Sequence, residues 1–332
     1  MLRYFFKRLL GCVLMLCILA FVSFLIIDLP PGDYLSTYIA SMQASGRIVE
    51  EGEILQLRER YGLDKPLMTQ FVTWIHGIFT RGDFGYSFSW NRPVSDILAE
   101  RIPLTMAISI TCILFNWIVA VPISIYSATH KYSLGDYLFN IVGFIGLAVP
   151  GFLLALVIVY LLYVNFGFSI SGLFSDYYAL QPWSFNKLVD LLKHVWLPIL
   201  IIGAEGTASL VRILRGTLID ELPRQYTTTA RAKGLPEKRM LMRYPVRVAI
   251  NPAISTIGWT LPRVFSGEVL VSTVLNLETI GPVFTSAVKM QDMYLAGSVL
   301  LILCACTLIG TVISDLLLAA LDPRIRMGGE KK

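Results

Sequence analysis

Residues 229 to 245 read TARAKGLPEKRMLMRYP, and they set Arg231, Lys233, Lys238, Arg239 and Arg243 against the single carboxylate Glu237. A basic cluster of this kind can set membrane topology, or hold a nucleic-acid backbone, an anionic lipid surface or a partner protein. Four more ionisable residues, Glu205, Arg263, Glu268 and Asp315, interrupt otherwise apolar runs. Charges at membrane depth are costly and face a cavity or a partner. The groups that would do covalent chemistry are missing. His76, His130 and His194 make no H-E-x-x-H, no G-x-S-x-G frames a nucleophile, and no carboxylate pair shares a helix face. Cys12, Cys17, Cys112, Cys304 and Cys306 all lie in apolar runs, and Cys304 and Cys306 would diverge on a helix, so neither a disulfide nor a metal site is expected. GAEGTAS at 203–209 and GGEKK at 328–332 do not fit the phosphate loop G-x-x-x-x-G-K-[ST]. Aromatic platforms interleaved with the cations would mark a nucleic-acid site; Tyr244 alone is present.

The elements that must position these groups are membrane spans. The chain is 55% hydrophobic and 15% charged, well below the roughly 25% charge of soluble domains, and its mean hydropathy is +0.65. Leu9 to Leu29 is a near-continuous apolar run behind Arg3, Lys7 and Arg8. It exceeds the ~7–15 residues of a signal-peptide core and no small-x-small cleavage site follows, so an uncleaved first span is expected. Similar runs fall near 103–128, 138–163, 195–214 and 294–321. The stretch 248–275 is weaker, because Pro252, Pro262, Arg263 and Glu268 interrupt it; one central Arg costs roughly 2.5–3.5 kcal/mol against ~0.3–0.6 gained per Leu or Ile.

Charge parity decides that stretch. Cytoplasmic ends are rich in Lys and Arg. The N-terminus, the 212–247 loop (nine Lys/Arg against Asp220, Glu221 and Glu237) and the tail with Arg324, Arg326, Lys331 and Lys332 are the basic ends. Residues 30–102 carry seven Lys/Arg against nine Asp/Glu and belong outside. With all three basic ends inside, 248–275 must span. The expectation is an all-α membrane protein of six transmembrane helices with both termini cytoplasmic. Its parts are residues 1–29 (N-terminus and first span), an external helical segment at 30–102, a five-span core at 103–323 and a tail at 324–332. In the external segment Ile54, Leu57 and Tyr61 form one stripe ended by Gly62. Leu67, Phe71, Trp74, Ile75 and Ile78 form a second behind Pro66, which suits a first-turn position. Such a segment can cap the bundle or help dock an external partner.

Within the loop 216–247, Leu218, Leu222 and the run Tyr226 to Lys233 predict short helical pieces outside the bilayer. Gly234 fits a C-terminal cap and Pro236 blocks continuation. Ala230 and Ala232 would leave a bare ridge that another backbone could approach. Plain topological anchoring remains the alternative.

Here the residues resemble a known family. YTTTARAKGLPEKRMLMRYPVR at 226–247 is similar to the EAA loop of permease subunits of binding-protein-dependent ABC importers, in the oligopeptide/dipeptide/nickel branch. The wider pattern E-A-A-x-x-x-G would put Thr228, Thr229 and Ala230 at E-A-A and Gly234 at the Gly, so the Glu and first Ala are absent. The branch form T-A-R-A-K-G-L is reproduced by Thr229 to Leu235. RYGLDKPL at 60–67, GDFGYS at 82–87, RPVSDILAERIPLT at 92–105, HVWLPIL at 194–200 and ALDPRIR at 320–326 also resemble that branch, in order. The resemblance implies a type I importer permease (MetI-like) fold in a prokaryotic inner membrane. It implies that Thr228, Thr229, Ala230, Arg231, Ala232, Lys233, Gly234, Leu235 and Pro236 form the coupling element for a separate ATPase. It also implies a second permease, identical or paralogous, two ATP-binding subunits that use ATP and Mg, and an external solute-binding protein, with no cofactor on this chain. Glu205 and Arg263 depart from the small or apolar residues usual in the branch, so a translocation path lined by Glu205, Arg263 and Glu268 is expected, with a purely structural ion pair as the alternative. Asp315 is expected to be structural. Pro150 with Gly143, Gly146 and Gly151 marks a close-packed or kinked third span. Short peptides are the expected cargo, with oligosaccharides or nickel chelates as alternatives. An ion-coupled secondary transporter is the rival class; its inverted repeats and broken mid-membrane helices have no repeat to match here.

Overall fold

The computed structural model describes residues 11, 14–22, 24–25, 66–167, 172–257, 260 and 269–321. The stripe at Ile54, Leu57 and Tyr61, together with Arg263, Glu268 and the basic tail, lies outside them. The chain divides into two compact units, Met1–Thr105 with Thr279–Cys306, and Met106–Glu278 with Thr307–Lys332.

Residues 14–22 and 24–25 are helical. Then follow α1 (Leu67–Arg81), β1 (Tyr86–Ser87), β2 (Arg92–Pro93), α2 (Val94–Thr129), α3 (Leu134–Ala148), α4 (Gly151–Phe166), α5 (Asp176–Ala179) and α6 (Phe185–Glu221). The remainder is α7 (Gln225–Ala232), α8 (Glu237–Arg243), α9 (Pro245–Ser255), α10 (Val269–Val274), α11 (Ile280–Lys289) and α12 (Met293–Leu321). Among the described residues α2, α6 and α12 are long and apolar enough to cross a membrane, and a fourth crossing arises if α3 and α4 count as one.

The spans at 103–128 and 195–214 prove to be parts of longer helices. At 1.5 Å per residue, the 37 residues of α6 measure about 56 Å, well beyond a hydrocarbon core of ~30 Å. Leu218 therefore belongs to this long helix rather than to a separate piece of loop. The expected continuous span at 138–163 is broken. Pro150 ends α3 at Val149, caps α4, and the two axes differ by 107°. Proline lacks the N–H that would bond back into α3 and its ring blocks the preceding turn. The basic loop at 212–247 stays on the side of the N-terminus only if this bent pair makes one crossing.

In the first unit, α1 carries the stripe expected behind Pro66, with Pro66 itself at the N-cap (φ −54°, ψ 142°) rather than inside the first turn. Trp74 is buried, stacks on Phe24 at 5.6 Å and donates Nε1–H to the carbonyl of Phe84 at 2.9 Å. The next segment forms an antiparallel pair, Tyr86 opposite Pro93 and Ser87 opposite Arg92, which two-residue strands gave no periodicity to announce. The pair is held by Asp292, the residue before α12. Its Oδ2 accepts from Ser87 Oγ (2.6 Å), Ser89 N (3.0 Å) and Ser89 Oγ (2.8 Å), and its Oδ1 accepts from Leu295 N at 3.2 Å. Thr105 Oγ1 accepts from Ile280 N at 3.0 Å, opening α11.

In the second unit α6 is the axis. Ala120 of α2, Leu210, Val211 and Leu214 of α6, and Ala253 of α9 form one buried cluster, and Ala128, Leu218, Val246 and Ala249 form another nearer the loop. Asn116 of α2, fully buried, lies 3.0 Å from Thr207 Oγ1; with its amide nitrogen facing α6 it also donates to Gly203 O at 2.9 Å. Gly203 and Gly206 make this approach possible. A Cβ on Gly203 would stand 2.8 Å from the Phe115 ring, and one on Gly206 would collide with the Asn116 amide. Small residues at such contacts let membrane helices come close enough for a side-chain hydrogen bond. On another side of α6, Gly146 lies against Ala204 and Ala208, where a Cβ would meet them at ordinary contact distances of 3.5–3.8 Å. Near the loop, Asp136 of α3 receives Arg215 Nε at 2.8 Å and Nη2 at 2.7 Å.

Candidate functional site

The basic loop folds as a two-helix elbow. α7 ends in a Schellman motif: Gly234 N–H bonds to Arg231 O at 3.0 Å and Leu235 N–H to Ala230 O at 3.4 Å. Gly234 takes φ +75°, a left-handed conformation that costs a residue with a Cβ roughly 1–2 kcal/mol. Pro236 then caps α8. The turn is clamped by a two-pronged ion pair, with Arg231 Nε and Nη2 donating to Glu237 at 3.1 and 2.7 Å. The hydrogen bonds from Arg231 hold the Glu237 carboxyl below its ordinary value, so the clamp stays charged throughout the neutral range. Glu237 also sits in the first turn of α8, where a negative charge meets the positive end of the helix dipole. At the entrance to α7, the Tyr226 hydroxyl donates to Glu221, and burial together with that bond pushes its pKa up to about 12.

The elbow sorts its residues by face. Thr227 and Ala230 of α7 and Met240 of α8 are buried; Thr228, Thr229, Arg231, Ala232, Lys233, Gly234 and Pro236 are exposed, and Leu235 is half-buried. This corrects the expected ridge. Ala230 is one turn from Thr227 and shares its inward face, so it supports the elbow from within and, of the two alanines, Ala232 is the one exposed. A Cβ placed on Gly234 meets no atom within 4 Å, so the outer face around the cap is open. Beside it, Pro236, Lys238, Arg239, Met242 and Arg243 line a shallow hollow on α8. Sequence reasoning missed the Arg231–Glu237 clamp, although a six-residue separation across a Gly-Leu-Pro turn is a usable signal for it.

Of the expected membrane charges, Glu205 is half-buried on α6. It precedes Arg215, the partner of Asp136, by ten residues, about 15 Å along the axis. Asp315 is half-buried on α12. Among the described residues no group of His, Cys, Asp and Glu is placed to hold a metal ion.

Known proteins share this architecture. Residues 120–327 match the family described as binding-protein-dependent transport system inner membrane component, and residues 1–109 match that system's N-terminal membrane component. A chain of Brucella ovis named a peptide permease protein is 31% identical over 98% of this chain and 100% of its own length. The oligopeptide transport system permease protein AppB of Bacillus subtilis is 29% identical over 98% of this chain and 99% of its own. The glutathione transport system permease protein GsiC of Escherichia coli has the same identity and coverage. A solved structure of the MetNI methionine ABC transporter covers 68% of this chain and 96% of its own with a TM-score of 0.50 at 13% identity, a likeness of fold. The chain belongs to the binding-protein-dependent transport system inner membrane component family and is a multi-pass permease of an ABC importer.

Proposed function

We propose that this chain forms half of the translocation path for short peptides in an ATP-driven importer, and that its elbow couples the path to a separate ATPase. Both termini face the cytoplasm of a prokaryotic cell. A second permease, two ATP-binding subunits and an external solute-binding protein complete the assembly. The ATP-binding subunits use ATP and Mg, and this chain binds no cofactor and performs no catalysis. Relatives named for peptides, oligopeptides and glutathione support peptides over oligosaccharides or nickel chelates.

The observation that carries the coupling role is the open outer face of α7 around a glycine that only its own backbone conformation requires. Thr228, Thr229, Ala232, Lys233 and Gly234 are the contact. Ala230, Arg231, Leu235 and Pro236 hold its shape. In the reconstituted importer, Gly234→Val is expected to insert normally yet lower peptide uptake at least tenfold, with Gly234→Ala between it and the parent. Unchanged uptake, or failure to insert, overturns the coupling reading.

Glu205, Arg263 and Glu268 are proposed to line the path. Separate Glu205→Ala and Arg263→Ala variants should assemble and transport more slowly. Assembly with unaltered uptake in both removes these residues from the path.

A further inference from the structure

α6 runs directly into the elbow. Leu222 N–H still bonds to Leu218 O at 2.9 Å, while Glu221 takes the Tyr226 hydroxyl on its carboxylate and Thr227 Oγ1 on its carbonyl at 3.1 Å. A displacement of the elbow is therefore passed to the last turns of α6. Arg215 stands there, six residues or about 9 Å before Glu221, and its guanidinium reaches sideways to α3. Nε and Nη2 engage both oxygens of Asp136 at 2.8 and 2.7 Å, a fork that fixes direction as well as distance.

The far side of the pair is anchored more than once. Tyr132 N–H at 3.0 Å and Asn140 Nδ2 at 2.8 Å hold the same carboxylate, and Ser133 Oγ caps α3 by accepting from Asp136 N at 3.2 Å. A pull on Asp136 is thus shared by the first two turns of α3. Further along, the two helices meet through small groups: Gly143 and Gly146 of α3 face Ala208, and Gly146 faces Ala204 as well. Small residues let helices lie close, but they offer no side chain to catch and leave sliding and rotation free. Stability alone does not call for a charge at this place, because a buried ion pair is often worth no more than an apolar contact of similar volume. What the pair adds is a fixed register between α3 and α6.

We infer that Arg215 is a positioning residue for transport: through Asp136 it locks α3 to α6, so that α3 moves with the elbow as one body when ATP is used. The inference rests on the importer reading above. Without the pair the elbow still moves α6, but α3 slips along Ala204 and Ala208, and ATP is hydrolysed with less peptide carried.

The test uses the complete importer in proteoliposomes and reads peptide taken up per ATP hydrolysed. The neutral pair Asp136→Asn with Arg215→Gln strands no charge and should assemble. Its ATP hydrolysis is expected to stay near the parent rate while uptake per ATP falls about fivefold, within the range for residues that carry coupling between distant sites. Arg215→Lys keeps the charge but offers one ammonium to two oxygens, so a fall of about twofold is expected; it carries the test by itself should the neutral pair fail to assemble. A pair that only stabilises the fold would let the neutral variant recover the parent ratio, and that result overturns the inference. Nitroxides at Leu138→Cys on α3 and Lys238→Cys on α8, both exposed, give the direct reading in a chain without its native cysteines. One distance, the same with and without ATP, is expected in the parent, and a spread of distances in the neutral variant. A parent distance that changes with ATP shows α3 moving independently and overturns the inference too. Parent uptake with unaltered ratios in the variants sinks this inference alone, whereas a parent that takes up no peptide on ATP sinks the importer reading.

Discussion

Replacing Arg215 with alanine is expected to remove about 3–5 kcal/mol of stability, the usual penalty for stripping one partner from a buried ion pair. Asp136 is only 2% exposed, against 21% for Arg215, and the carboxylate cannot turn outward. Tyr132 N at 3.0 Å and Asn140 Nδ2 at 2.8 Å already bind it, so α3 holds the charge in place whether or not arginine is there. The converse change should cost less. Without Asp136, the arginine can carry its head toward water on its flexible stem, and the loss falls to about 1.5–3 kcal/mol, the worth of hydrogen bonds to a charged group. A double replacement, Asp136→Asn with Arg215→Gln, should recover much of the single Arg215 loss. Unfolding of the purified permease in mixed detergent measures all three. Equal losses for the two single alanine variants would show that the pair is solvated and that α3 is not tied to α6 by charge.

The second large effect is expected at Asp292. Alanine there removes the acceptor of Leu295 N–H, a cap worth about 1 kcal/mol. It also strands Ser89 N–H and the Ser87 hydroxyl in a site where Asp292 and Ser87 are fully buried, at about 1–3 kcal/mol for each unsatisfied group. The sum is about 3–7 kcal/mol, confined to the first unit. The milder change Asp292→Asn would keep the cap, since asparagine ranks with aspartate there, and lose only part of the hold on the serines. Hydrogen exchange gives the local reading: amides of 85–93 should exchange faster in Asp292→Ala, while those of α7 and α8 keep their rates. Unaltered exchange at Ser89 would refute the assignment.

Neither pair was visible to pattern reading, for one physical reason. Asp136 and Arg215 are 79 positions apart, and Asp292 is more than 200 from the serines it binds; a lone carboxylate carries no mark of its partner. Arg215 could equally be an ordinary cytoplasmic-side cation. What hydropathy did reveal is set by the solvent: where along the chain the apolar runs fall. The Gly234–Pro236 turn was legible because backbone chemistry at those positions is local. The orientation of Ala230 was not, since an eight-residue helix shows its period but not which side another element covers. The break at Pro150 was half legible: proline announced a disturbance but not the 107° between the two axes.

The single rod of α6 has a mechanical consequence. At Gly203 and Gly206 it meets Phe115 and Asn116 with no room for a Cβ, and that crossing makes a natural fulcrum. From Gly206 the inner arm to Glu221 is about 22 Å and the outer arm to Phe185 about 32 Å at 1.5 Å per residue. A 2 Å push where the rod meets the elbow therefore becomes a swing of about 3 Å at Phe185, in the opposite direction. Pro198 lies in the outer arm and makes that arm the more compliant of the two, so the outer end follows the inner one with some give. Motion begun at the elbow would reach the Phe185 end of the rod, softened at Pro198, and a strong grip at that end would be felt at the elbow by the same leverage.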